Sequence, residues 1–335
     1  MHVIVHIGPF KTGTSAIQSA LTQACAGLRA CGILYYTTQP KPARSLSTLY
    51  AARKSLRHPE LRQYFPTPEE ALAWSTACWS DFEAQADAPD LQRVVISSEF
   101  FSALRNTEGF LARLKRRFSR ITVVAYVRDP VELYLSTVQQ NIRGGETLRD
   151  LWTPLDYVYP YRKFLPTFAE AVGMKNMIVR RFSREALEGG DVVTDFAARL
   201  AEFGAVPDIA PVRANDALPG AVLAWLLLAN ETWDRKILGA ARRETLRRLL
   251  ADPGIATLPK LRLENRLFEQ ALRARTRDDC LWLNETFLQG QPPLPVADMA
   301  APEADAARLR ADMRDWLVGY LTPEAQHCIA RVVTA

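Results

Sequence analysis

Four short, nearly unbroken apolar runs stand out in the chain, at residues 3–7, 94–97, 121–127 and 177–181. Val, Ile and Tyr dominate them, and continuous apolarity over a few residues is what a strand buried on both faces requires. "GILYY", residues 32–36, is a fifth candidate strand. Between these runs the apolar positions recur at helical steps, which predicts helices over 15–30, 67–86, 107–118, 130–142 and 161–172. Strand alternating with helix predicts an α/β fold, a parallel β-sheet flanked by helices and joined by right-handed crossovers.

The texture changes near residue 211. "PGAVLAWLLLANETW", "RRETLRRLLAD" and "ADAARLRADMRDWLVGYL" all carry helical period, and no further strand run follows. The expected organisation is an α/β core over 1–210 and a mostly helical C-terminal subdomain over 211–335 packed on it. Residues 289–305, "QGQPPLPVADMAAPEAD", are rich in Pro and Ala and read as an extended loop. There is no internal repeat.

Composition narrows the class. Of 335 residues, 48% are hydrophobic and 24% charged, the balance of an ordinary globular protein. No apolar run approaches the ~18 residues that a membrane span needs. The first residues carry no basic stretch of the secretory kind and lead straight into a motif that cleavage would destroy. The five cysteines, Cys25, Cys31, Cys78, Cys280 and Cys328, are odd in number and irregularly spaced. They form no disulfide framework, so reduced thiols and a cytoplasmic location are expected. His2, His6, His58 and His327 show no metal-ligand spacing, and no metal is expected. The net charge of +5 comes mostly from arginines scattered along the chain. A nucleic-acid partner would call for a denser basic stripe, so none is expected. An anionic small ligand or polymer suits the excess equally well.

The chemistry begins at "VIVHIGPFKTGTSAIQSAL", residues 3–21. A strand runs into Gly8, Lys11, Thr12, Gly13, Thr14 and Ser15, and a helix follows. Glycines let successive N–H groups curl around an anion, the helix start adds its free N–H groups and dipole, and Lys11 adds a full charge. The loop is therefore expected to bind a phosphate-like group, which would make the sheet P-loop-like. Nucleotide-triphosphate loops read G-x-x-x-x-G-K-[ST], with lysine after the second glycine. Here Lys11 precedes Gly13.

With the lysine in that place, "KTGTS" resembles the 5′-phosphosulfate loop of sulfotransferases that use 3′-phosphoadenosine 5′-phosphosulfate (PAPS). The wider "HIGPFKTGTSAIQ" resembles bacterial carbohydrate-type members. PAPS carries a 3′-phosphate that ATP lacks, so a second anion site is required. "VVAYVRDPVELYLSTVQQ" supplies Arg128 at a strand end, Pro130 where a helix begins, and Ser136 in that helix. It is similar to the family's 3′-phosphate site. The resemblance covers about residues 1–204. It implies PAPS as cosubstrate and PAP as product, with Lys11, Thr12, Gly13, Thr14, Ser15, Arg128 and Ser136 holding the nucleotide. Lys11 would also act in catalysis by stabilising charge on the leaving phosphate.

The acceptor hydroxyl or amine needs a base. Glu99, in "VVISSEFFSAL", follows a strand and so sits at the carboxyl edge of the sheet, where open α/β folds place ligands. Phe100 and Phe101 beside it would raise its pKa by desolvation. Glu99 equally reads as a helix cap or an arginine partner. His6, on the first strand, is the rival base, and Ser98 is a further nucleotide candidate. Residues 42–65 form a basic, aromatic-bearing insertion in which Arg44, Arg53, Lys54, Arg57 and Arg62 either line a cleft for an anionic glycan or make a solvated face. Two other readings stay open: a P-loop kinase or NTPase, and an inactive binding protein of sulfotransferase fold.

Overall fold

The computed structural model describes residues 1–212, 217–232, 239–297 and 306–334. Five strands form one sheet: β1 His2–His6, β2 Ile33–Tyr35, β3 Arg93–Ser97, β4 Arg120–Val127 and β5 Met177–Arg181. All pairings are parallel and the order is β2-β3-β1-β4-β5. The expected α/β class is what the chain adopts, including the fifth strand.

In chain order the helices are α1 Thr14–Gln23, α2 Cys25–Ala30, α3 Pro59–Arg62, α4 Pro68–Ala86, α5 Thr107–Arg117, α6 Pro130–Gly144, α7 Leu165–Val172, α8 Val192–Ala201, α9 Gly220–Thr232, α10 Gly239–Ala251, α11 Pro253–Ala256, α12 Arg266–Thr286, α13 Ala306–Val318 and α14 Pro323–Thr334. Two expected helices are divided. The segment 15–30 breaks at Ala24, whose ψ of 3° interrupts the helical backbone. The segment 161–172 opens with a 3₁₀ turn, Tyr161–Lys163, and restarts after Phe164. Pro166 lacks the N–H that a continuous helix would donate to the carbonyl of Arg162.

The chain divides into two compact units. The first comprises Met1–Arg128, Pro160–Ala214 and Trp282–Leu294, and the second comprises Asp129–Tyr159, Asn215–Leu281 and Pro295–Ala335. In the first, strand side chains alternate between two faces. One face, through Ile4, Val95, Val124 and Tyr126, packs on Ile17 and Leu21 of α1, Leu28 of α2, and Phe196 and Leu200 of α8. Each large apolar side chain buried there contributes about 1.5–3 kcal/mol. In the flanking aromatic cluster Trp79 meets Phe82 and Phe110 edge-on and Phe101 lies tilted against Phe110, and α5 and α7 lie against β4.

The second unit is helical. There α9 packs against α6, α13 and α14, and α10 packs against α11 and α14. Residues 289–297 are loop, and 298–305 of the expected extended segment lie outside the described residues. No helix among the described residues is long and apolar enough to cross a membrane. All five cysteines are free thiols.

Candidate functional site

Because the sheet is wholly parallel, the carboxyl ends of its strands share one edge, and the loops that leave them meet there. The strand order places β3 on one side of β1 and β4 on the other. The chain runs from β1 out to the edge strand β2, returns to β3 beside β1, then crosses β1 to reach β4. At such a reversal the loops of neighbouring strands part and leave room for a ligand.

The loop after β1 is held open by its own residues. The Ile7 N–H donates to the Val124 carbonyl at 3.0 Å, carrying the pairing one residue past the strand. Lys11 has φ 69°, a left-handed conformation no other non-glycine adopts among the described residues. Thr12 is fully buried, and its hydroxyl donates to the Pro9 carbonyl at 2.8 Å. The Thr12 side chain is thus spent on shaping the loop. Gly13, at φ 80°, starts α1, and its carbonyl accepts from Ala16 and Ile17. A Cβ on Gly13 would lie 2.7 Å from Val192 Cγ1 and 3.0 Å from Phe182 Cε2, so only glycine fits. No acidic residue occupies the first turn of α1 and no side chain caps it. Its leading N–H groups and positive dipole end therefore suit an anion. Ser15 is exposed at this end, while Thr14 is only 6% exposed and its Oγ1 has no hydrogen-bond partner.

Arg128 comes to this loop from β4. Its Nη1 donates to the Lys11 carbonyl at 3.0 Å, joining residues 117 apart in sequence. Its backbone N–H donates to the Tyr161 hydroxyl at 2.8 Å, and its guanidinium lies 5.3 Å from the Phe182 ring centroid. The two basic motifs therefore meet. Ser136 stands half-buried on α6, in the second unit.

Glu99 opens the 3₁₀ turn Glu99–Ala103, directly after β3. Gln18, on α1, donates to the Ser97 carbonyl at 3.2 Å and to Glu99 Oε2 at 3.3 Å. The helix that starts at the phosphate loop thus also holds the carboxylate. Ser98, not Glu99, caps the turn. Its Oγ accepts from the Phe100 N–H and donates to the Ala43 carbonyl, which leaves that hydroxyl occupied within the protein.

Three contributors escaped the sequence. Gln18 lies one turn beyond Thr14 on α1, a spacing that puts it on the same helix face. Ser97 pairs in register with His6, and its Oγ lies 2.8 Å from His6 Nδ1. Phe10, 41% exposed, meets Phe100 edge-on at 5.5 Å. Within the basic insertion the arginines separate. Arg44 is 7% exposed and stacks on Phe100, 3.7 Å from the ring centroid, whereas Arg53, Lys54, Arg57 and Arg62 are exposed.

His6 is fully buried between Tyr126 and Phe196, and burial lowers its pKa to about 3. It stays neutral at ordinary pH. A group so weakly basic and so enclosed is poorly suited to take a proton from an acceptor. Glu99 is half-buried at the carboxyl edge.

Set against protein-family models, curated proteins and solved structures, the chain matches none.

Proposed function

We propose that the chain is a cytoplasmic PAPS-dependent sulfotransferase that moves a sulfuryl group to a hydroxyl or amine of an acceptor, a glycan or other small or polymeric metabolite, and yields PAP. One observation carries this reading: the Arg128 guanidinium bonds the backbone of Lys11, so two cationic motifs far apart in sequence share one strand edge. A donor with phosphate groups at both 3′ and 5′ positions suits such a pair. The residues present also fit it in detail. Gly8 and Gly13 keep the loop narrow, the start of α1 is free of acid, and the buried Thr14 hydroxyl lacks a partner.

When bound, the donor supplies a sulfuryl group on a phosphosulfate bond. In this reading Lys11 and the leading N–H groups of α1 balance charge on the 5′-phosphate oxygen that leaves with the electron pair. Arg128 grips the 3′-phosphate. Glu99 accepts the proton from the acceptor as its oxygen or nitrogen bonds to sulfur, and Gln18 holds the carboxylate in place.

Calorimetry with PAP, AMP and ATP–Mg²⁺ tests the nucleotide. PAP is expected to bind at least about tenfold tighter than AMP, the worth of one charged hydrogen-bonded contact. Arg128→Ala should erase that difference and leave AMP affinity nearly unchanged. ATP–Mg²⁺ binding as tightly as PAP would replace this reading with the kinase or NTPase one. Mass spectrometry of products from PAPS and a panel of glycans, lipids and small alcohols then tests transfer. PAP binding without any sulfated product would favour an inactive binding protein.

A further inference from the structure

Two polar atoms in the loop region are buried and without hydrogen-bond partners, Thr14 Oγ1 and His6 Nε2. They face the same spot. A Cβ placed on Gly8 would lie 2.2 Å from Thr14 Oγ1 and 2.7 Å from His6 Nε2. Both atoms therefore border the small space that the absent Gly8 side chain leaves open. On the far side of the imidazole, Nδ1 lies 2.8 Å from Ser97 Oγ. Leaving two buried polar groups unsatisfied is costly. Such an arrangement is retained where a further partner completes it.

We propose that His6 is a positioning residue of the loop: with an anion bound, its Nε2–H donates to Thr14 Oγ1 and so directs the Thr14 hydroxyl proton onto the anion. The donors then run in one direction. Ser97 Oγ–H donates to Nδ1, Nε2–H donates to Thr14 Oγ1, and Thr14 Oγ–H donates to an anion oxygen. No proton is transferred. The chain requires a neutral imidazole with its proton on Nε2, and full burial keeps the ring neutral. Gly8 is needed because any side chain there would enter the contact. This role rests on the reading of the loop as an anion site. It differs from that of a base, because His6 touches neither acceptor nor donor.

The test is a nitrogen NMR titration of histidine-labelled protein with PAP, pyrophosphate and inorganic sulfate, joined to a double-mutant cycle. His6 should show the Nε2–H form, and Nε2 should shift as the anion saturates. His6→Phe suits the fold because the ring already packs between Tyr126 and Phe196. It and Thr14→Val should each weaken anion binding about tenfold, the worth of one charge-assisted hydrogen bond. The double variant should be no weaker than either alone, and Thr14→Ser should restore affinity. Saturation by PAP with His6 unmoved, or with additive losses, would overturn the positioning role and leave the sulfotransferase reading intact. Binding of pyrophosphate with a shifted His6, but no preference for PAP over AMP, would do the reverse. If no anion binds the wild-type protein, both fall.

Discussion

In the proposed transfer, Lys11 and Glu99 are where single atoms would decide the outcome. Lys11→Ala removes the one full charge in the loop, while Arg128 and the α1 N-terminus still hold the nucleotide. Turnover should fall about a hundredfold or more with PAP affinity reduced far less, as for other losses of a charged transition-state contact. Single-turnover rates alongside calorimetry check this, and near-normal turnover would reject the role. Glu99→Gln keeps the contact from Gln18 but loses basicity. Turnover should drop by roughly 10²–10⁴ at unchanged PAP affinity and melting temperature. A destabilised but active variant would make Glu99 a structural residue. At this scale the sequence was legible where chemistry is local. Lys11, Gly13 and the hydroxyls fall in one window, and Arg128 ends a recognisable strand. Gln18 was not, because its role depends on a partner 81 residues away. Arg44 could not be told from its exposed neighbours until Phe100 was seen beneath it.

The elements that frame the loop depend on one buried ion pair. Asp195, fully buried on α8, accepts from Arg180 Nη2 at 2.7 Å, from the Tyr126 hydroxyl at 2.9 Å and from the Glu188 N–H at 3.1 Å. It ties α8 to β4 and β5, and α8 in turn presents Val192 to Gly13. Burial and the carboxylate beside it push the Tyr126 hydroxyl pKa well up, so it remains a donor. Asp195→Asn would leave Arg180 without its counter-charge. The expected loss is about 3 kcal/mol of stability, since removing one partner of a buried pair strands the other. Urea unfolding measures it, and a loss under about 1 kcal/mol would mean that the pair is dispensable. β1 to β4 were readable from apolarity because nearly all their residues are buried, whereas β5 is only half-buried outside Val179. The breaks at Ala24 and Phe164 were harder. The apolar rhythm continues through both, and only backbone geometry and the missing N–H of Pro166 interrupt the helix.

Across the molecule, acid should be destabilising from an unusually high pH. Burial lowers the pKa of His2 to about 4, helped by Arg120 and Arg93, and that of His6 to about 3. In the unfolded chain both return to about 6.5. Below that pH the unfolded state binds more protons, so stability is complete above it and declines as pH falls toward the folded values. The slope is about 1.4 kcal/mol per pH unit for each histidine. Urea midpoints should be flat above about pH 7 and fall steeply between about pH 6.5 and 5, before most carboxylates titrate. A flat profile through that window would contradict the burial of both rings.

The last stretch of the first unit, Trp282–Leu294, has a bearing on how the chain is made. Among the described residues, β5 has β4 on one side and no strand on the other. Gln291 faces that bare margin: its Nε2 donates to the Val179 carbonyl at 2.9 Å and its Oε1 accepts from the Arg181 N–H at 3.0 Å. Arg181 Nη1 adds a bond to the Pro293 carbonyl at 2.8 Å. A side-chain amide thus copies the bonds a sixth strand would make, and shields groups that otherwise invite pairing with another chain. The ribosome supplies this shield some 110 residues after β5, by the separation of the bonded pairs. Until then the nascent sheet carries a sticky border, which makes this interval in synthesis the one in which holdase chaperones matter most.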